Sequence, residues 1–256
     1  MQIADNDDGV RRITFDRPDV LNAFTTETAA ELADVLAESD PTEQDAIVLT
    51  GEGRAFSAGG DIESMAAREE TPEEAYERID ETFGRLAEEA LSCRVPIVAR
   101  INGDAVGAGM AIVALTDFAY AVESAGFSAA FVRVGLIPDT GGTFLLPRLV
   151  GLRAAKDLAF TGRFFDAAEA TDLGLINGVV AEDELDERID DLLDTLRKRP
   201  TRTIGLAKRT IHANLGRGWE GALDYENVVQ SQAYGTQEHG EGVDAFLEDR
   251  DPDFQS

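Results

Sequence analysis

Positive charge is scarce in this chain. Lys156, Lys198 and Lys208 are its only lysines, and 23 Lys+Arg face 50 Asp+Glu, a formal net charge of −27. So strong a negative field repels a nucleic-acid backbone and an anionic membrane surface, so neither is an expected bulk partner. An acid-rich, lysine-poor surface is instead what screening by molar salt favours, and a halophilic source is expected. The one cysteine, Cys93, has no partner for an internal disulfide and reads as a small buried residue. His212 and His239, the only histidines, lie in helical stretches without ligands at metal spacing, so no metal is expected. Two histidines also give little from which to build a serine triad. Ser57 in Ala55-Phe56-Ser57-Ala58-Gly59 lacks the Gly two positions earlier that a nucleophile elbow requires. No Gly-Lys-Ser/Thr phosphate loop occurs. No apolar run reaches the length of a membrane span and the N-terminus carries no basic-then-apolar signal, so a soluble cytoplasmic protein is expected.

The 256 residues are 43% hydrophobic, enough for one large domain with a real core. Hydrophobic periodicity in the first part alternates between strand and helix. Strands are expected at 11–15, 46–49, 96–99 and 118–122. Helices are expected at 26–38, with Ala29, Ala30, Ala33 and Leu36 inward, at 72–91 and at 107–115. Such alternation implies an α/β layer architecture with parallel pairing. Beyond residue 140 the period is helical, over 142–150, 153–160, 185–197, 202–213, 222–232 and 240–247, with one strand at 178–180. A soft boundary falls near residue 185. Leu192, Leu193, Leu196, Ile204, Leu206 and Ile211 are more apolar surface than a helical appendage buries alone, which suggests self-assembly.

Two glycine clusters follow buried strands: Ser57-Ala58-Gly59-Gly60-Asp61, and Asn102-Gly103-Asp104-Ala105-Val106-Gly107-Ala108-Gly109. Neither Gly51-Glu52-Gly53, ahead of the first cluster, nor Gly107-Ala108-Gly109 completes a dinucleotide fingerprint, because Phe56 and Ile112 stand where the third glycine belongs. Small residues at strand ends let backbone N–H groups approach a ligand, and the second cluster opens a helix whose dipole adds positive potential. A pair of such donors would stabilise a developing oxyanion. Taken alone, composition favours reading the same glycines as turns needed only for tight packing.

Order and spacing add more. Asn22-Ala23-Phe24, then Gly53-Arg54-Ala55-Phe56-Ser57-Ala58-Gly59-Gly60-Asp61-Ile62, then Asn102 to Ala111, then Gly135-Leu136-Ile137-Pro138-Asp139-Thr140-Gly141-Gly142-Thr143 together resemble the crotonase superfamily, the enoyl-CoA hydratase/isomerase family. The resemblance runs from about residue 3 to residue 250. It implies an α/β fold of the crotonase (ClpP-like) type: a spiral of ββα units over 1–185 and a C-terminal helical oligomerisation region over 186–256. The implied assembly is a homotrimer or a dimer of trimers. The implied substrate is an acyl-CoA thioester, with coenzyme A part of the substrate and no separate cofactor. The N–H groups of Gly60 and Ala108 would hold the thioester oxygen. Ala23, Ala58, Asp61 and Ile62 fall where such enzymes line the adenine and pantetheine path. Arg54 falls where a basic residue often meets a CoA phosphate, and equally reads as a solvated loop arginine.

Hydratases of this family place two glutamates across the substrate double bond, and here the matching positions are Ala111 and Phe131. Neither transfers a proton. Asp139 is the remaining carboxylate, at a position that matches the acid/base or nucleophile of isomerase-like relatives. An aspartate before Thr140-Gly141-Gly142 is also a good helix N-cap. Phe131 through Asp139 most resembles the ring-1,2-epoxyphenylacetyl-CoA isomerase branch, so an isomerase with a single aspartate is favoured. Three alternatives stay open: hydration through Asp104 or Glu63, hydrolysis or dehalogenation with Asp139 as nucleophile, and a catalytically silent acyl-CoA binder on the same fold.

Overall fold

The computed structural model describes residues 1–5 and 9–254. Among the described residues, ten strands form two sheets. In chain order they are β1 (Gln2–Asp5), β2 (Val10–Phe15), β3 (Ala46–Gly51), β4 (Ala55–Ser57), β5 (Ile97–Ile101), β6 (Asp104–Val106), β7 (Phe118–Val122), β8 (Gly126–Ser128), β9 (Phe165–Asp166) and β10 (Gly178–Val180). The larger sheet runs β1-β2-β3-β5-β7-β10 and the smaller β4-β6-β8-β9. Pairing is parallel except at the two ends where β1 meets β2 and β8 meets β9. Ala46, Ile47, Val48 and Leu49 of β3 are all buried, the continuous apolar run expected of a parallel strand covered on both faces.

The arrangement is a spiral. Each of β3, β5 and β7 enters the large sheet, turns, and continues as β4, β6 or β8 in the small one. Helices Ile62–Ala66 and Ala108–Leu115 follow the first two turns, and a 3₁₀ turn, Ala130–Val134, follows the third. The three strand-to-helix junctions therefore stack beside one another, which gathers loops distant in sequence. Two asparagine staples, one buried and one half-buried, fix this stacking. Asn102 accepts from Gly51 N–H at 3.1 Å and donates to Gly53 O at 2.9 Å. Asn22, 2% exposed, donates to Glu52 O and Ala55 O and accepts from Arg17 N–H. Both replace backbone partners that irregular turns would otherwise leave unpaired.

The expected strands and helices of the first part are present, with shifted ends. The strand at 46–49 reaches Gly51, the one at 96–99 is Ile97–Ile101, and Ala30 is half-buried rather than inward. The helix expected at 72–91 starts at a Thr71–Glu74 capping box, passes through a π-helical turn at Asp80–Gly84 and continues as Arg85–Ser92. The small sheet was invisible to periodicity, since strands of two or three residues carry no period.

One expectation is corrected. Leu192, Leu193 and Leu196 are not free for assembly: they are at most 7% exposed, and with Leu185 and Ile189 they carry helix Leu185–Arg197 into the main core. Helix Thr201–Asn214 is also clasped to the core, by Lys208. Its ammonium donates to Asp117 Oδ2 at 2.7 Å and to Val95 O at 3.4 Å, and Asp117 Oδ2 also accepts from Ile97 N–H. Of the six apolar residues expected at an interface, Ile211 stays exposed at 63%, while Ile204 and Leu206 are half-buried. No helix among the described residues is long and apolar enough to cross a membrane.

Candidate active site

The stacked junctions open onto a cleft of about 240 Å³. Its floor is backbone. Gly59 has φ +94° and Gly107 φ +53°, both in the region that favours glycine. A Cβ at Gly59 would stand 2.6 Å from Val106 O and 3.3 Å from Ala108 N, so the absence of side chains is what lets the two loops touch. The first loop is held by a bridge to Phe24: Phe24 N–H donates to Gly59 O at 2.7 Å and Asp61 N–H to Phe24 O at 2.9 Å. That pairing uses the Gly59 carbonyl and the Asp61 N–H and leaves the Gly60 N–H without a backbone acceptor among the described residues. Ala108 is the first residue of its helix, and helix amides before Ala111 have no intrahelical acceptor. Two unspent donors thus border one cleft, the second at the positive end of a helix dipole.

Asp139 lies in the same cleft, on the turn before helix Gly142–Leu149. The walls around it are apolar, with Phe83, Phe131, Leu136 and Met65 among them. Burial pushes the Asp139 carboxyl above its ordinary value, while a hydrogen bond from the Thr140 hydroxyl (2.9 Å) and the positive charge of Arg78 work in the opposite direction. The capping role allowed by the sequence is not the one observed. The N-cap of the following helix is Gly141, with no side-chain cap bond, so the carboxylate is free of that duty. Thr140, 4% exposed, is held at φ +52°, a left-handed conformation that costs a non-glycine residue on the order of 1 kcal/mol. Strain is thereby spent to aim the Asp139 turn.

Ala58, Gly60, Ile62, Ala108 and Asp139 all line this cleft. Ala23 is 8% exposed, beside it in the chain bridge through Phe24, and its carbonyl accepts from Arg17 Nη1 at 2.6 Å. Asp61 is occupied: it takes the Ser64 N–H at 3.0 Å as N-cap of Ile62–Ala66 and pairs with Arg17 at 2.8 Å. Arg17 therefore stands on the path that the sequence assigned to Ala23 and Asp61. Arg54 is exposed on the turn between β3 and β4. Ser57 is fully buried, its hydroxyl donating to Asn22 O and accepting from Gly59 N–H, a pin and not a nucleophile.

Two carboxylates proposed for hydration are placed elsewhere. Asp104 is exposed and accepts from Gly126 N–H at 2.8 Å, and Glu63 points to solvent on the helix after Asp61; neither lines the cleft. Phe131 does line it, and Ala111 is buried on the helix behind. Arg78, Met65, Phe83 and Thr140 were missed by sequence reasoning. The first three lie outside the glycine motifs, and no pattern in the sequence singles them out.

The sequence profile of the family described as "Enoyl-CoA hydratase/isomerase" matches residues 5–256. A probable enoyl-CoA hydratase of Rhodobacter capsulatus is 36% identical over 96% of this chain and 95% of its own length. A 1,2-epoxyphenylacetyl-CoA isomerase of Escherichia coli is 35% identical over the same shares. The crystal structure of an enoyl-CoA hydratase from Mycobacterium smegmatis superposes with a TM-score of 0.92 at 30% identity, covering 100% of this chain and 98% of that one.

Proposed function

The chain belongs to the enoyl-CoA hydratase/isomerase family, and from that membership we propose that it is an isomerase-type enzyme acting on an acyl-CoA thioester with Asp139 as its single acid/base. The observation that carries this reading is the lone carboxylate, with its pKa raised, in an apolar cleft beside two unspent amides. In a 1,3-shift the Asp139 carboxylate takes the proton from the carbon next to the thioester. The electron pair moves into the carbonyl, and the N–H groups of Gly60 and Ala108 hold the resulting oxyanion. The same proton then returns from Asp139 to the far carbon of the allylic system, and the double bond ends conjugated to the thioester. Nothing is consumed, and no second carboxylate is required. Isomerisation of a ring epoxide, the activity in the name of the Escherichia coli relative, is the alternative to the double-bond shift that the Phe131–Asp139 segment favours.

Hydration is the second reading, because the Rhodobacter relative carries that name. It needs a water-orienting pair that Ala111 and Phe131 do not supply. Coenzyme A enters as part of the substrate along Ala23, Ala58, Asp61 and Ile62, with Arg54 toward its phosphates. Assembly as a trimer or a dimer of trimers is supported by the apolar surface left on the last helices, where Phe246 is 85% and Leu247 75% exposed. The acidic surface supports a salt-adapted, cytoplasmic protein.

The test is product analysis with a 3-enoyl-CoA and a 2-enoyl-CoA. The proposal expects conversion of the 3-enoyl to the 2-enoyl thioester without 3-hydroxyacyl-CoA. Rapid hydration of the 2-enoyl substrate would overturn the isomerase preference, and binding without turnover of either would overturn the enzymatic reading.

A further inference from the structure

We propose that Met65 is an oxidation site that closes the oxyanion pair: its sulfoxide, formed by a peroxide, sets a polar oxygen beside Gly60 that competes with the thioester oxygen. The inference rests on the reading of Gly60 and Ala108 as the groups that hold that thioester.

Short-range geometry folds Met65 back on Gly60. Asp61 caps the five-residue helix Ile62–Ala66, and Met65 N–H donates to Asp61 O at 3.0 Å. Long side chains on a helix lean toward its N-terminus, so Met65 reaches toward the residue before the cap. The result is direct contact. A Cβ built on Gly60 would collide with the Met65 methyl, and the thioether sulfur stands 3.9 Å from the same point. Gly60 and Met65 therefore form one patch of the cleft lining, which Ala108 shares.

Met65 is also the sulfur at this site that an oxidant can reach. Of the chain's three methionines, Met110 is 0% exposed, and Met1 precedes the first strand and does not line the cleft. Met65 is half-buried, and no residue of its helix is buried, so the segment is held by its cap and not by packing. Cys93 is buried and that burial pushes its thiol pKa up, which leaves little thiolate for a peroxide to attack. In the oxidation, the Met65 sulfur gives an electron pair to one peroxide oxygen and the O–O bond breaks. The other oxygen leaves as water, or as an alcohol from an organic peroxide; sulfur is oxidised to the sulfoxide and the peroxide is reduced. A flexible apolar side chain thereby becomes a polar one that carries a hydrogen-bond acceptor. The Gly60 N–H has no backbone acceptor among the described residues, so an acceptor added beside it competes with the thioester oxygen for that donor.

The test is hydrogen peroxide treatment of wild type and Met65→Leu, each compared with its own untreated sample. Peptide mass spectrometry locates the added oxygen, an isomerase assay reads turnover, and calorimetry reads binding of butyryl-CoA, a saturated thioester with no double bond to shift. The oxygen should fall on Met65 ahead of Met110, and excess butyryl-CoA should shield it. Wild type oxidised at Met65 should lose activity by roughly 10²–10³-fold, the size of losing one oxyanion donor, and should bind butyryl-CoA more weakly. Methionine sulfoxide reductase should restore both, and Met65→Leu should retain its own untreated activity through the same treatment. Oxygen on Met65 with turnover and affinity intact overturns the inference, as does equal inactivation of Met65→Leu, or a Met65 that stays unoxidised. The wild-type arm needs no variant, so it decides even if Met65→Leu fails to fold. Butyryl-CoA separates the two layers: an untreated enzyme that binds it but turns over no enoyl-CoA loses the isomerase reading, while its affinity before and after oxidation still decides this inference.

Discussion

Replacing Asp139 by asparagine should take away activity and add stability in the same molecule. The amide has nearly the shape of the carboxylate, and its Oδ1 accepts from the Thr140 hydroxyl as the acid does at 2.9 Å. No cap is lost, since Gly141 is the N-cap of the next helix. What changes is proton transfer and charge. Loss of a positioned acid/base costs roughly 10²–10⁴-fold in rate, or about 3–5 kcal/mol in the barrier. On the stability side, burial raises the Asp139 pKa in the fold above its unfolded value. Between the two values the native state holds the extra proton, so stability falls as pH rises through that window and stays lower above it. Each pKa unit corresponds to about 1.4 kcal/mol, reduced here because Asp139 is only half-buried. The neutral amide escapes this cost. On a chain this size every 1 kcal/mol of relief raises the melting temperature by roughly 2–4 °C, so the variant should melt higher at neutral pH, with the advantage shrinking toward acid pH. Calorimetry at pH 4.5 and pH 8, beside isomerase assays on the same preparations, reads both effects. Full activity with an unchanged pH profile would refute the assignment of Asp139. A lowered melting temperature at both pH values would refute the claim that the carboxylate is held there against its preferred solvation.

Salt is the second lever: a net charge of −27 repels itself most where the Debye length is long, about 30 Å at 0.01 M, so activity and melting temperature should drop on dialysis from molar salt to dilute buffer. Equal melting curves in both would show that the acid excess is not a screening adaptation. Lys208→Met should destabilise by about 3 kcal/mol, because Asp117 is left as a largely buried charge with only the Ile97 N–H to satisfy it; a denaturation midpoint unchanged at constant m-value would contradict this. Ala111→Glu restores one of the two hydratase carboxylates, and trace 3-hydroxyacyl-CoA is the expected product, whereas efficient hydration would show that Phe131 does not block the second role. Light scattering in high salt should give the mass of a trimer or hexamer, and monomer mass alone would remove the proposed assembly.

Long, strongly periodic segments were legible from residues alone. Leu185–Arg197 has the bounds its apolar spacing gave, and Ala46–Gly51 and Phe118–Val122 follow from continuous apolar runs. Short strands such as Ala55–Ser57 and Gly126–Ser128 were not, because they exist through neighbours in the stack and not through any pattern of their own. The fate of Leu192, Leu193 and Leu196 shows the same limit: periodicity identified an apolar face, and only packing against the core decided what covers it.

The order of motifs by itself determined the family, the two glycine loops and the lack of a carboxylate at 111 and 131, since residue identity fixes which groups can donate or accept a proton. Tertiary structure alone decided that the Gly59 and Ala108 loops, about fifty residues apart in the chain, pack too closely for a side chain at Gly59, that Asp139 shares one cleft with Gly60 and Ala108 and does not cap the next helix, and that Asp104 and Glu63 lie outside the cleft. Chemistry at a site depends on distance and local dielectric, and a spiral that stacks separate strand ends sets both through contacts that sequence neighbours do not share.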